Sequence, residues 1–402
     1  MKKFLLMEKF SIIILIFLML VATHLDNAQG QSKDTIKIGV LTTLSGIAAQ
    51  VGVDNRNGIV LAAKHKKTIL GRPIELIIED EEGKPEIGVR KAEKLVFKDK
   101  VVALTGVPFS GVGLAIAKEL DRLGVPFLTT NVMTPEFYNI HKLAFRCGQL
   151  ADDQTAIAHV KGILASPDLR KRKYYVLADD YAWGHSCAET FIKLAQKAGL
   201  NIFNVKYDNA ALTATDWAPF VTKVSASGCD GMYSCLRSPI IPRFTKQAYD
   251  FGLMKKIKII AGGSPSEAAL EEGGESQVGI VTACCWSWDI DTPKSKEFAK
   301  AYWEEFKAVP PSQGAQAYTG AMVLFNAIEK AGSTKPDQIA AALKGAQYEG
   351  PYGLVRISPK DHTMRTPAVL TETQLAPPNP FGAKIVKKVI VYLKPEEIGP
   401  PE

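Results

Sequence analysis

The sequence predicts an α/β protein built from two similar units. Short apolar runs of β type recur without period-2 alternation, each followed by an amphipathic helical stretch, and the rhythm starts again after residue 150. Continuous apolar strands alternating with helices argue a parallel sheet covered on both faces. At roughly 150 residues per domain, 402 residues leave room for two sizeable cores.

In the first unit, Ile36 to Leu41 is a buried-strand candidate, followed by the turn Ser45-Gly46 and a helix around Asp54 to Lys64. Glu75 to Glu79 reads as a strand. Pro85 to Phe97 reads as a helix, with its Pro in the first turn, where a missing N–H costs nothing. A helix from Gly111 to Leu123 lies between the strands Val101 to Thr105 and Val125 to Thr129. The second unit opens with a helix from Asp152 to Ala165, then the strand Tyr174 to Ala178 and a helix from Trp183 to Ala198. Three further strands follow, Ile202 to Tyr207, Gly231 to Leu236 and Ile257 to Ala261, separated by helices at Trp217 to Ala226 and Pro242 to Gly252. Residues 295–345 are mostly helical. From Tyr348 the chain reads as strands and irregular segments, ending in Lys384 to Leu393 and a Pro-rich tail.

The first thirty residues stand apart. Lys2, Lys3 and Lys9 precede the 13-residue run Phe10 to Ala22, apolar except for Ser11, and a polar exit follows. That pattern is a secretory signal; the alternative, an uncleaved anchor, calls for about 20 apolar residues. The net charge is +7, of which residues 1–30 carry +1. The basic side chains fall mostly as helix-surface lysines, without the stripe and interleaved aromatics of a nucleic-acid reader. Six cysteines, 147, 187, 229, 235, 284 and 285, are compatible with disulfides in an exported chain, but spacing alone assigns no pairing. His185 and Cys187 are the nearest approach to metal-ligand spacing, and no metal or other cofactor is expected.

In open α/β sheets, ligands bind beyond the carboxyl ends of the strands. The turns to search are therefore Thr43 to Gly52, Gly106 to Gly111, Thr129 to Thr134, Asp179 to Ser186, Leu236 to Pro239 and Gly262 to Ser266. All are rich in Ser, Thr, Asn or Gly, whose hydroxyls and free N–H groups suit anions and polar ligands.

Taken in order, these segments carry a resemblance. Ile36-Lys37-Ile38-Gly39-Val40 with Leu44-Ser45-Gly46, Glu79-Asp80, Leu104-Thr105-Gly106 with Ser110, and Gly124-Val125-Pro126-Phe127 follow one another. Thr134-Pro135-Glu136, Asp179-Asp180-Tyr181-Ala182-Trp183-Gly184 and Ala317-Tyr318-Thr319-Gly320-Ala321 complete the series. Over residues 34–370 the chain resembles the leucine/isoleucine/valine-binding family, the type I periplasmic binding proteins of ABC transporters. The turn at 179–185 and the late pair Asp361-His362 resemble a longer subgroup with varied ligands. The resemblance implies two Rossmann-like lobes joined by three crossovers, with the ligand cleft between them. The N-terminal lobe would be 33–148 plus 286–355, the C-terminal lobe 149–285 plus 356–402. Crossovers are expected near Gly148, near Trp286 and between 350 and 370. It also implies a periplasmic monomer that closes on a small molecule and docks on a permease.

Carried over residue by residue, Ser110 matches the hydroxyl that binds a ligand's carboxylate; it also begins a helix, where it reads as an N-cap. Asn131 matches a position whose backbone faces the ligand, and Trp183 an aromatic set against it from the second lobe. Ser45, Thr130, Met133, Tyr181, Arg237 and Ser264 complete the candidate set. The departures matter as much. Met133 stands where the family has a second carboxylate-binding hydroxyl, and Val51 where it has an aromatic. A family tyrosine falls at Leu236 or Arg237. Arg237 would clamp a carboxylate if it points inward; otherwise it is a surface charge. The family's acid for the ligand's ammonium falls near Gly263-Ser264, where there is none, and Glu267 lies about a helical turn away. An unpaired buried ammonium is costly, so a carboxylate without an amino group is the expected ligand.

Other classes fit less well. No nucleophile elbow, phosphate loop or zinc spacing is present, and His185 with Asp179 is the one pair a catalytic reading would use. A ligand-binding sensor for a chemoreceptor or signalling partner, or an amino-acid or amide binder, remains an alternative within the same fold.

Overall fold

The computed structural model describes residues 34–46, 49–238 and 240–399; the expected signal segment, 1–30, lies outside them. The first sheet has six strands: β1 Ile36–Thr42, β2 Thr68–Ile69, β3 Arg72–Asp80, β4 Ala103–Gly106, β5 Phe127–Thr129 and β6 Ala144–Arg146. Their order is β2-β3-β1-β4-β5-β6, all parallel except the short β2. Central β1 is covered on both faces, which is why Ile36, Ile38, Val40 and Leu41 are all buried and the run shows no alternation. Four helices accompany it: α1 Ala49–Lys66, α2 Pro85–Glu93, α3 Ser110–Lys118 and α4 Leu120–Leu123. The helix expected over 85–97 ends at Glu93 and continues as a π-helical turn to Lys98.

The chain then leaves β6 and builds a second sheet, with β7 Lys173–Asp179, β8 Asn201–Ile202, β9 Asp208–Ala210, β10 Gly231–Cys235, β11 Lys258–Ala261 and β12 Val281–Cys284. Its helices are α5 Asp152–Ala165, α6 Ala182–Lys197, α7 Ala218–Ala226, α8 Ile241–Asp250 and α9 Glu267–Gly273. The strand expected over 202–207 is instead two short strands flanking a turn. Asn204 explains the break: its carboxamide accepts from the Val176 N–H at 2.8 Å and donates to the Val176 carbonyl at 2.9 Å, standing in for a backbone ladder.

After β12 the chain returns to the first lobe with α10 Pro293–Phe306, α11 Ser312–Ala331 and α12 Pro336–Leu343. Helix α11 lies against α1 so closely that a Cβ on Gly58 would sit 2.2 Å from the Gly314 carbonyl oxygen. A hairpin-like sheet of β13 Gln347–Gly350, β14 Gly353–Ile357 and β15 Met364–Arg365 follows. Strand β14 runs straight through 355–356, where a lobe boundary was expected. Thr363 bridges to Arg146 of β6, and His362 stacks on Phe145 at 4.6 Å, so this sheet extends the first lobe. The chain re-enters the second lobe only with β16 Ala368–Leu375 and β17 Ile385–Leu393, antiparallel strands that finish the order β17-β16-β12-β11-β10-β7-β8.

Cys187 of α6 and Cys235 of β10 form a disulfide with Cα atoms 5.9 Å apart, while Cys147, Cys229, Cys284 and Cys285 are free and buried. The bond closes a 48-residue loop, for which a chain-entropy estimate gives about 4 kcal/mol. Replacing both cysteines by alanine is expected to lower unfolding stability by about 2–4 kcal/mol in a urea titration.

Candidate functional site

The carboxyl ends of both sheets face one gap, and the turns that leave them line it. From the first lobe come Phe109 and Ser110 at the start of α3, Asn131 and Met133 after β5, and Val51 in α1. From the second come Tyr181 and Trp183 at the start of α6, Arg237 and Ser238 after β10, and Gly263 and Ser264 after β11. Gln149, between β6 and α5, and Gln313 of α11 close the floor. The inner space is small, about 60 Å³. A larger chamber of about 530 Å³ opens beside it, sharing Phe109, Tyr181 and Arg237 as a common wall.

Seven of the nine candidate residues meet around the inner space: Ser110, Asn131, Met133, Tyr181, Trp183, Arg237 and Ser264. Ser45 lines the outer chamber instead. Thr130 lines neither: its hydroxyl accepts from Asn55 Nδ2 at 2.6 Å and lies 3.2 Å from the Gly106 carbonyl, so it braces α1 against the sheet. Phe109, Ser238 and Gly263 lie in turns the sequence marked without being singled out as candidates, and Gln149 and Gln313 were passed over. Gln149 directly follows the expected crossover at Gly148, the signal that would have found it.

Ser110 is not an N-cap. Phe109 holds that position in extended backbone, and the Ser110 hydroxyl accepts the Met133 N–H at 3.3 Å, with no acceptor for its own proton among the described residues. Met133 thus contributes an apolar wall and a backbone donor that aims Ser110. Trp183 is buried, its ring so close to the chain that a Cβ on Gly263 would stand 2.9 Å from it; Tyr181 lies 6.0 Å from it, ring to ring. The carboxamide oxygen of Asn131 is buried without a hydrogen-bond donor among the described residues. The first loop, with Ser45, is held by Asp80, which accepts from Leu44 N–H at 2.8 Å, and by Thr43 bonded to buried Glu81.

Arg237 points into the gap. Its Nη2 donates to the Leu212 carbonyl at 2.7 Å and its Nη1 lies 3.3 Å from Asp179 Oδ2, with no hydrogen-bond acceptor among the described residues. Asp179, at the end of β7, also takes the Arg237 backbone N–H at 2.8 Å. Burial pushes its carboxyl up to about 6 against the pull of Arg237. Asp179 is therefore the partner of Arg237; His185 pairs with Asp180 at 3.0 Å and with the Tyr207 hydroxyl at 3.0 Å.

Glu267 does not line the inner space and is already taken. Lys387 of β17 lies 2.7 Å from its Oε1, and the Ser312 N–H donates to its Oε2 at 2.9 Å. The same ammonium donates to Ser312 Oγ at 2.9 Å, the Pro265 carbonyl at 3.0 Å and Ser264 Oγ at 3.2 Å, so it is fully used. Nearby Asp54 of α1 is buried, which pushes its carboxyl up to about 8, Glu267 adding to the rise. Among the described residues lining the inner space, Arg237 is the one charged side chain, and no group of acids, His and Cys fit to hold a metal occurs.

The family model for periplasmic binding proteins matches residues 35–376. The chain belongs to the periplasmic binding protein family. The leucine-, isoleucine-, valine-, threonine- and alanine-binding protein of Pseudomonas aeruginosa is 26% identical over 328 residues, 80% of this chain and 85% of that one. A solute-binding protein of an ABC transporter from Rhodopseudomonas palustris BisB5, solved with 3,4-dihydroxybenzoic acid, is 26% identical with a TM-score of 0.82, covering 90% of this chain and 97% of that one. Another from strain HaA2, solved with p-hydroxybenzoic acid, is 25% identical with a TM-score of 0.82, covering 90% and 97%. This periplasmic binding protein is a solute-binding protein of the ABC-transporter kind, in the branch that the sequence resemblance names. No helix among its described residues is long and apolar enough to cross a membrane.

The buried pair gives a direct test of the seam. Lys387→Met strands Glu267 and is expected to cost about 3–5 kcal/mol in urea unfolding, while adding Glu267→Leu recovers most of the loss.

Proposed function

We propose that this protein, exported and monomeric, captures a small organic carboxylate, aromatic or aliphatic, and closes its lobes on it for delivery to an ABC permease. The observation that carries the reading is the charge of the inner space: one cation, Arg237, and no acid among the described lining residues. A bound α-amino acid would bury an ammonium that neither Asp179 nor Glu267 is free to meet, since Arg237 and Lys387 hold them. A carboxylate without an amino group suits the Arg237 guanidinium, whose Nη1 is ion-paired with Asp179 but makes no hydrogen bond among the described residues, and the Ser110 hydroxyl. The walls of Phe109, Tyr181, Trp183 and Met133 suit an apolar body. The two similar solute-binding proteins solved with hydroxylated benzoic acids support an aromatic one.

Calorimetry on refolded, ligand-free protein with benzoate, 4-hydroxybenzoate and leucine tests this. Binding of the acids and none of leucine is expected; tight leucine binding with no acid binding overturns it. Ser110→Ala should weaken acid binding about tenfold, and Arg237→Gln combined with Asp179→Asn about thirtyfold or more. The affinity should also depend on pH. Asp179, with its carboxyl near 6, would be pushed higher by an arriving anion, so binding takes up a proton above pH 6. Affinity is therefore expected to fall as pH rises from 6 to 8, and Asp179→Asn should flatten that slope.

A further inference from the structure

The inner space is too small for the whole of a ring-bearing acid. About 60 Å³ is room for the equivalent of a few waters, whereas the adjoining chamber offers about 530 Å³, within the range of complete ligand sites. The two compartments share Arg237, Phe109 and Tyr181, so a ligand whose carboxylate sits on Arg237 has its remainder directed outward, between the two aromatic side chains. The outer walls there are apolar, with Pro85 and Val112 from the first lobe facing Ala182 and Leu212 from the second. Ser45 and Glu82 supply polar groups at the same chamber.

We infer that the outer chamber is a second ligand subsite, and that the natural ligand is an amphipathic monocarboxylic acid with an apolar arm longer than a single ring. This rests on the carboxylate reading above. The small inner compartment selects the acid head by charge and hydrogen bonding, and the outer one selects the arm by apolar burial. The chamber draws on both lobes, so an arm lying in it would add apolar contact between them.

The test is a homologous series, benzoate, 3-phenylpropanoate and 5-phenylpentanoate, titrated by calorimetry into the full-length mature protein. A methylene fully buried is worth roughly threefold to fourfold in affinity. Affinity is expected to rise at least tenfold from benzoate to 5-phenylpentanoate. Two substitutions fill the chamber from opposite lobes. A Cβ on Gly111 would meet only Pro85 Cγ, at 3.9 Å, so Gly111→Phe can be built into the space; Ala182→Phe does the same from α6. Each should erase the gain for the longer acids over benzoate, weakening them at least tenfold more than benzoate, with thermal melting confirming that each variant folds. Benzoate binding as tightly as the longer acids would overturn the subsite while leaving the carboxylate reading intact. A gain in the long acids that survives both substitutions would also overturn it. Failure of every acid to bind would overturn both.

Discussion

The cleft owes its charge to an ion pair that lies outside it. Glu267 and Lys387 neutralise one another at exposures of 3% and 1%; the ammonium bonds Ser312, Ser264 and Pro265, and the Ser312 N–H bonds Glu267 Oε2. A buried pair of this kind gives little net stability over an apolar substitute, so its value lies in where it places things. It joins the start of α9, the edge strand β17 and the start of α11 at one seam, tying the second lobe to a helix of the first. It also consumes the acid that stands close to the ligand turns. What remains in the inner space is Arg237, whose own charge is partly met by Asp179.

The rest of the site follows from topology. Parallel strands deliver their turns to one edge, so each lobe contributes hydroxyls, amides and helix beginnings without any of them being adjacent in sequence. Phe109 and Ser110 of the first lobe thus line the same space as Tyr181 and Trp183 of the second. Gln313 donates to the Ser264 carbonyl at 3.2 Å, a bond between the two lobes at the floor of the cleft. The disulfide fixes the helix that carries Trp183 to the strand that leads into Arg237, so two cleft-lining groups of the second lobe are covalently tied together.

Much of this was legible in the sequence, because burial on both faces leaves a continuous apolar strand and the strand-to-helix turns announce themselves by Ser, Thr and Gly. The helix over Asp152–Ala165 and the strand over Gly231–Cys235 are cases where local pattern and tertiary role agree. The misreadings have local causes. Asn204 imitates a strand partner with its side chain, which no propensity encodes. Thr130 looks like a turn hydroxyl yet spends its oxygen on Asn55, a residue remote in sequence. Lys387 escaped notice because, between Val386 and Lys388 on an edge strand, it reads as a solvated lysine. Its burial depends on Glu267 and Ser312, neither of which lies near it in the chain. Partnerships between distant residues are what a single sequence leaves out.

That distance also has a consequence in time. The second lobe begins at α5, yet its sheet is completed by β16 and β17, whose residues are the last strands of the chain to be made. Until β16 arrives, β12 has an open edge; until β17 follows, Glu267 has no countercharge and Ser312 of α11 lacks the ammonium that bonds its hydroxyl. The first lobe likewise waits for α11 to cover α1. Each lobe therefore remains unfinished during synthesis until sequence from beyond the other lobe has emerged.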